Sequence, residues 1–314
     1  MKNDIRVKKL KEGEVVPLKY DFHFVRVFGN PENMDIIEYF ISDYYNIPIE
    51  EVVGNIQIVS RDLPQESKRE KSKQVDLLLR LGNKKINIEI SNTTSTGRKE
   101  RDLVFLSRIH GGALEYRQSY KDVGFSWQIR LNGVKCNDGK LVRTYYLTSQ
   151  DEDRKVFSDK FRIDDVDLEE AKHMVYNEDE KRVRWCKILT SSSRGEIVKE
   201  LGDKLMDEKS RKKLLENIDR NSRDEEVIDI YEMYSTAKME RDDEMYEALE
   251  KNTKEVTEKV TNEVTEKVTN EVTEKVKRED AIETAKKMLL EGCKIDLISK
   301  ITGLSKDEIV KLSN

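Results

Sequence analysis

Residues 74–92, QVDLLLRLGNKKINIEISN, contain two short apolar runs on either side of Gly82-Asn83. Apolar runs that flank a Gly/Asn pair are typical of a β-hairpin with a two-residue turn. In that register the numbers of opposed residues sum to 165, so Asp76 lies opposite Glu89. The stretch therefore predicts two antiparallel strands that bring two carboxylates close together.

Side chains alternate between the two faces of a strand, so the hairpin divides into an apolar and a polar face. We expect the apolar face to lie against a hydrophobic core; it carries Val75, Leu77, Leu79, Leu81, Ile86, Ile88 and Ile90. The opposite face carries Gln74, Asp76, Leu78, Arg80, Lys85, Asn87, Glu89 and Ser91.

Two like charges opposed on neighbouring strands repel each other. A divalent cation such as Mg²⁺, which binds carboxylate oxygens, would relieve that repulsion between Asp76 and Glu89. The spacing is also compatible with a solvated face on which Arg80 and Lys85 balance the charge. The hairpin alone leaves both interpretations open.

The composition of the 314-residue chain excludes some classes of protein. Charged residues make up 39%, but 63 acidic and 58 basic side chains nearly cancel, so the net charge of −5 does not identify a partner. Three cysteines and three histidines lie far apart, which argues against a disulfide framework or a zinc site. Without a secretory segment or a long apolar run, we expect a cytoplasmic protein with no membrane partner.

The rest of the first 192 residues predicts a mixture of helices and strands. The expected helices lie at 18–28, 32–45, 98–109 and 165–176, and the expected strands at 54–60, 124–131, 143–149 and 155–164. We expect loops at 61–73 and a continuation of the third helix at 113–119. On the helix at 98–109, Arg98, Arg101 and Arg108 fall near one face, which suits either solvation or contact with phosphates.

After residue 192 the sequence predicts helices only. Residues 193–250 form a charged helical extension, and residues 251–278 contain the repeated octad EVTEKVTN. Its valines recur every four residues, a step that drifts by about 40° on a 3.6-residue helix. We favour a solvated or weakly self-associating helix over a strong coiled coil, which leaves a homo-oligomer open.

Residues 279–314 predict a small unit of three short helices with glycine turns at Gly292 and Gly303. Ser305 and Glu308 have the spacing of a capping box at the start of the last helix. Such a unit suits a helix-turn-helix that binds DNA, or a packing and oligomerisation cap.

Three blocks of the chain, taken in order, resemble one family. They are YDFHFVRVFG at 20–29, Asp76 with Glu89-Ile90-Ser91, and the segment from Gly292 to Ile309 with its TGLS core. Together they resemble the recombination-promoting nuclease and transposase family of the PD-(D/E)xK nuclease superfamily.

The resemblance implies an α/β fold with a restriction-endonuclease-like core, in which a mixed sheet is flanked by helices. It also implies a DNA endonuclease that uses Mg²⁺ or Mn²⁺. Carried over by position, Asp76 and Glu89 are the metal ligands, and Asp21 on the first helix completes the acidic catalytic site. On this basis residues 1–192 are the nuclease-like domain.

Ser91 departs from the family pattern, which has lysine or glutamine two residues after the glutamate. A serine hydroxyl can hydrogen-bond a catalytic water, but it is shorter and carries no charge. Gln74 and the three arginines at 98, 101 and 108 are candidate substitutes or DNA phosphate contacts. The leading hypothesis is a DNA endonuclease, and the alternatives are a nuclease-fold protein that binds DNA without cutting it and a self-associating scaffold.

Overall fold

The computed structural model describes residues 10–59, 74–92, 97–112, 117–151, 153–176 and 180–312. The chain divides into two compact units, Met1–Ser235 and Thr236–Asn314. Within the described ranges, no helix is long and apolar enough to cross a lipid bilayer.

The first unit contains a six-stranded sheet with helices around it. The strands are β1 (Ile56–Ile58), β2 (Leu77–Leu81), β3 (Lys84–Ser91), β4 (Phe125–Asn132), β5 (Val142–Thr148) and β6 (Val156–Asp167). The helices are α1 (Asp21–Phe28), α2 (Met34–Tyr45), α3 (Ile49–Val52), α4 (Arg98–Gly111), α5 (Leu168–Ala171), α6 (Glu180–Thr190), α7 (Arg194–Leu201) and α8 (Glu208–Asn221). A ninth helix, α9 (Glu225–Leu290), begins in this unit and contains the boundary with the second.

The sheet is mixed, as the sequence predicts, with the strand order β1-β2-β3-β4-β6-β5. Strands β2 and β3 form the expected hairpin, and their register pairs Leu79 with Ile86 and Leu77 with Ile88. Strands β3, β4 and β6 run parallel to one another, whereas β1, β2 and β5 join in antiparallel pairs. This mixed sheet flanked by helices confirms the predicted fold class.

One face of the sheet forms the main hydrophobic core. The alternating residues Leu77, Leu79, Leu81, Ile86, Ile88 and Ile90 are all buried in it, as the period-two pattern of the hairpin predicts. Helices α1, α2, α6 and α8 contribute Phe24, Phe40, Trp185, Leu214 and other apolar side chains to the same core. Burial of this apolar surface is the main force that holds the hairpin in place.

Helix α4 covers the opposite face, where Phe105 and Ile109 pack against Leu78. Val75 lies in this second cluster, so the prediction that placed it on the core face is wrong. The physical reason is that the chain bends at Asp76 and β2 begins only at Leu77. The two-residue alternation therefore does not extend back to Val75.

Most of the predicted elements occur near their expected positions, with one clear correction. The sequence predicts a helix at 165–176, but β6 continues to Asp167 and α5 ends after a single turn at Ala171. The Asp167 side chain accepts hydrogen bonds from the backbone N–H groups of Glu169 and Glu170, which caps this short helix. The predicted loop at 61–73 lies outside the described residues, as do residues 113–116 of the predicted helix continuation.

The second unit contains most of α9, α10 (Ile295–Thr302) and α11 (Lys306–Leu312). Its small core comprises Ala285, Ile298, Leu304 and Ile309. Gly292 and Gly303 adopt positive φ angles at the ends of α9 and α10, where other residues would be strained. The predicted capping box is present, since Ser305 and Glu308 exchange side chain–backbone hydrogen bonds of 2.9 and 3.3 Å.

Candidate functional site

The two carboxylates of the hairpin lie at the same end of β3. Asp76 sits at the bend before β2, and its Oδ2 accepts a 2.8 Å hydrogen bond from the backbone N–H of Ile90. Glu89 precedes Ile90 in β3 and is only 1% exposed. The hydrogen bond fixes Asp76 beside the strand that carries Glu89.

The polar face of β3 is not a solvated surface. Asn87, Glu89 and Ser91 alternate along it, and all three are buried. The Asn87 amide donates a 3.3 Å hydrogen bond to Glu89 Oε1, and the Arg101 guanidinium donates a 3.2 Å hydrogen bond to Glu89 Oε2. The alternative of a solvated face balanced by Arg80 and Lys85 therefore does not describe this end of the hairpin.

Burial raises the pKa of Glu89 to about 8. The charge of Asp76 adds to this increase, whereas Arg101 and the Asn87 amide oppose it. The charge of Asp76 acts on Glu89 because the two carboxylates lie close together. A carboxyl group held in this way gains stability when a positive charge enters the site.

Strand β4 continues the polar layer beneath α4. Its parallel register sets Arg130 beside Glu89, and β6 sets Asp165 beside Arg130. The Arg130 Nε lies 3.4 Å from Asp102 Oδ2 of α4 and 3.8 Å from Asp165 Oδ1. Because buried charges need partners, the ion pair of Arg130 with Asp102 helps to hold α4 against the polar face of the sheet.

The three arginines predicted to lie on one helix face occupy different settings. Arg101 pairs with Glu89 and leaves half of its side chain exposed, with its guanidinium over the Phe105 ring. Arg98 is nearer the polar layer, and burial lowers its pKa. Arg108 lies seven residues beyond Arg101 in α4, about 10 Å along a helix.

Asp21 is the first residue of α1, and its Oδ1 accepts a 2.8 Å hydrogen bond from the backbone N–H of Phe22. The start of α1 is tied to the end of β3, because the Asn92 side chain donates a 2.8 Å hydrogen bond to the Lys19 carbonyl. The Tyr234 hydroxyl of α9 lies 3.4 Å from Asp21 Oδ1. Burial raises the pKa of Tyr234, and the charges of Asp21 and Asp76 both add to that increase.

Gln74 and Ser91, the two remaining candidate residues, lie near the ends of the hairpin strands. Gln74 is exposed and precedes β2, whereas Ser91 is buried at the last position of β3. Among the described residues, no group of three His, Cys, Asp or Glu side chains is arranged to hold a metal ion. The pair of Asp76 and Glu89 fits a hard cation in its chemistry, since it offers carboxylate oxygens that repel each other.

Sequence reasoning missed several residues of this region. The sequence does indicate the polar layer, because polar residues alternate with apolar residues along β4: Ser126, Gln128, Arg130 and Asn132. That pattern matches the alternation of Asn87, Glu89 and Ser91 in the neighbouring strand. Tyr234 carries no such signal, since its position beside Asp21 depends on how α9 packs on α1.

The mixed sheet flanked by helices is that of a nuclease-like α/β protein, and a comparison with protein families agrees. Residues 18–250 match the PD-(D/E)XK nuclease family transposase model, and residues 278–314 match the C-terminal HTH domain of the Rpn/YhgA-like nuclease family. The chain therefore belongs to the PD-(D/E)XK nuclease family that includes these transposases. No curated protein and no solved structure gave a significant match.

Proposed function

We propose that this protein is a DNA endonuclease that depends on Mg²⁺ or Mn²⁺, with Asp76 and Glu89 as the metal ligands. The observation that carries the proposal is the close approach of the two carboxylates; burial, and then the charge of Asp76, raise the pKa of Glu89. Structural carboxylates usually avoid such a setting because like charges repel. In a nuclease site, two carboxylates held close together are favourable because their repulsion promotes cation binding.

Asp76 and Glu89 would hold the cation, which when bound would lower the pKa of a water and offset charge on the phosphate. The other functions belong to residues of the chain. Glu89 must lose its proton to act as a ligand, and the Arg101 guanidinium beside it favours the deprotonated form. Asp21, at the start of α1, is the third acidic residue of the proposed site.

Arginine side chains of α4 are the proposed contacts to the DNA backbone. Arg101 suits this role best because half of its side chain is exposed while its guanidinium reaches Glu89. A guanidinium presents several N–H donors that match phosphate oxygens. We assign Arg98, Arg108 and Gln74 to the same role as weaker candidates.

Ser91 supports a second candidate function, in which the protein binds DNA without cutting it. The family resemblance places a lysine or glutamine at this position, whereas Ser91 offers a short and buried hydroxyl. We propose that its hydroxyl orients the attacking water, which would give a slower enzyme than lysine does. In the non-cutting alternative, the Ser91 hydroxyl does not orient the water well enough for hydrolysis.

We propose a division of labour among the four segments of the chain. The nuclease-like domain at 1–192 cuts, the helical extension at 193–250 and the octad helix at 251–278 connect, and the terminal unit at 279–314 binds duplex DNA. The match of residues 278–314 to an HTH domain supports the last assignment. Self-association through the C-terminal helices is a further proposal, tested below through the octad valines.

The test is the nicking of supercoiled plasmid by the full chain with Mg²⁺ or Mn²⁺ and with EDTA. We expect cutting with metal, and a loss of about 100-fold or more in Asp76→Asn and Glu89→Gln, since each removes a group that stabilises charge in the transition state. Glu50→Gln, which neutralises an exposed carboxylate on α3, is the matched control. A wild-type chain that binds DNA but never cuts it would favour the second candidate.

A further inference from the structure

Four aromatic rings surround the start of α1. Tyr20 and Phe22 flank Asp21 in sequence, and Tyr231 and Tyr234 come from the first turns of α9. The ring centroids of Tyr20 lie 5.3 Å from Tyr231 and 5.7 Å from Tyr234, and those of Phe22 and Tyr234 lie 5.8 Å apart. We call these four residues the aromatic cluster.

The aromatic cluster lies outside the main hydrophobic core, whose described members include none of the four rings. All four side chains keep some contact with solvent, and Tyr234 is 36% exposed. Partly exposed aromatic patches of this kind often mark binding surfaces. If the rings served only to pack α9 on α1, contact among them would be enough and their exposure to solvent would have no purpose.

The position of the cluster indicates what would bind there. The Tyr234 hydroxyl lies 3.4 Å from Asp21 Oδ1, so the cluster borders the proposed acidic site. Carboxylates disfavour a second phosphate at that place, but they do not repel an uncharged planar group. A nucleobase attached to the strand at the acidic site combines the required planarity, neutrality and closeness.

We propose that the aromatic cluster stacks an unpaired base of the DNA strand held at the acidic site. The inference rests on the proposed function, and it names single-stranded or locally unpaired DNA as the preferred substrate. In a duplex, neighbouring base pairs cover the faces of each base, so only an unstacked base can offer its face to a protein ring. Stacking of this kind tolerates any base because every base has a π-face.

The experiment measures fluorescence anisotropy of labelled oligonucleotides with the full chain, in EDTA and again with Mg²⁺ in the Glu89→Gln background. Tyr234→Leu keeps apolar volume but removes the planar ring, whereas Tyr234→Phe keeps the ring. We expect Tyr234→Leu to weaken single-strand binding about 10-fold, within the range for loss of one stacked base, and Tyr234→Phe to restore most of it. Tyr120→Leu, at a tyrosine that is 88% exposed and elsewhere in the fold, is the matched control.

Single abasic sites scanned along the strand provide a second measurement that needs no folded variant. In the wild type, an abasic site at one position should lower the affinity for the strand more than abasic sites at neighbouring positions. At that position Tyr234→Leu should add little further loss, because the ring and the missing base are partners in one interaction. Duplex binding should change much less than single-strand binding in every variant.

Four results would overturn the inference. They are no single-strand binding under either condition, equal affinities of Tyr234→Leu and wild type, equal losses on single strands and duplex, and additive losses at every abasic position. These outcomes are distinct from failure of the proposed function. If Tyr234→Leu is coupled to one abasic position but the chain cuts no plasmid, only the nuclease proposal fails. If the chain cuts plasmid normally but shows no such coupling, only the stacking proposal fails.

Discussion

The two faces of strand β3 are both buried, but they have opposite chemistry. Ile86, Ile88 and Ile90 face the main hydrophobic core, whereas Asn87, Glu89 and Ser91 face the polar layer beneath α4. The apolar face is stabilised by area removed from water. The polar face costs stability unless each group finds a partner. The presence of these polar side chains on a buried strand face is the reason to look for function there.

The largest effect should come from the apolar face. Ile88→Ala removes a fully buried side chain, and we expect the free energy of unfolding to fall by about 4 kcal/mol, near the upper part of the range for such truncations. Ile86→Val removes one methyl group from the same face and should cost only about 1 kcal/mol. Urea denaturation of both variants would measure the difference. Equal small losses would mean that this face is not closely packed.

Removing a charge partner from the polar layer should have the next largest effect. Asp102→Ala leaves Arg130 buried with one fewer carboxylate, and we expect a loss of about 3 kcal/mol. In an Arg130→Met background the same substitution should cost about 1 kcal/mol, since the stranded charge is gone. The unfolding free energies of the wild type, the two single variants and the double variant form a double-mutant cycle. A loss that is the same in both backgrounds would show that the ion pair does not hold α4.

A pH dependence of stability should follow from Glu89. Its pKa is about 8 in the folded protein, above the ordinary value of 4.5, so the folded state keeps a proton that the unfolded state loses. This contribution is fully present below pH 4.5 and is lost as pH rises through 8. Relative to Glu89→Gln, the wild type in EDTA should therefore become less stable between these values.

The measurement is the free energy of unfolding of both chains at several pH values across that interval. Glu50→Gln, on the exposed surface of α3, should follow the wild type closely. Parallel curves for wild type and Glu89→Gln would indicate that Glu89 titrates like a solvated carboxyl group, contrary to its burial.

The hairpin could be predicted from sequence because its information is local. The Gly82-Asn83 turn fixed the register, and the period of two identified the core face. Local information failed where the chain departs from that regular pattern. The bend at Asp76 moved Val75 to the other face, and the strand pairing of β6 overrode the helical periodicity of residues 165–167.

The carboxylate pair was also accessible from sequence, whereas its surroundings were not. The resemblance of short motifs indicated Asp76 and Glu89, and the predicted register set them opposite each other, although Asp76 lies at the bend before β2. The contact of Glu89 with Arg101 joins a strand to the helix that follows it, and the contact of Asp21 with Tyr234 joins elements that are distant in sequence. Such contacts depend on how helices pack on the sheet, which no local pattern encodes.

The smallest effect is expected from the octad helix, whose valines contrast with those of the core. Val256, Val260, Val264, Val268, Val272 and Val276 are each about half exposed. Val264→Ala should change the free energy of unfolding by no more than about 0.5 kcal/mol, because alanine is the better helix former and little packing is lost. Light scattering of a variant with all six valines changed to alanine would test self-association. A smaller mass than that of the wild type would assign these valines to an interface between copies.

The most direct test of the carboxylate pair is calorimetric titration of Mn²⁺ into the full chain at a pH above 8, where Glu89 is mostly ionised. We predict that the wild type and Glu50→Gln bind the ion equally well. Asp76→Asn and Glu89→Gln should each weaken binding by about 10-fold or more. Unchanged Mn²⁺ affinity in both hairpin variants would contradict the assignment of Asp76 and Glu89 as metal ligands.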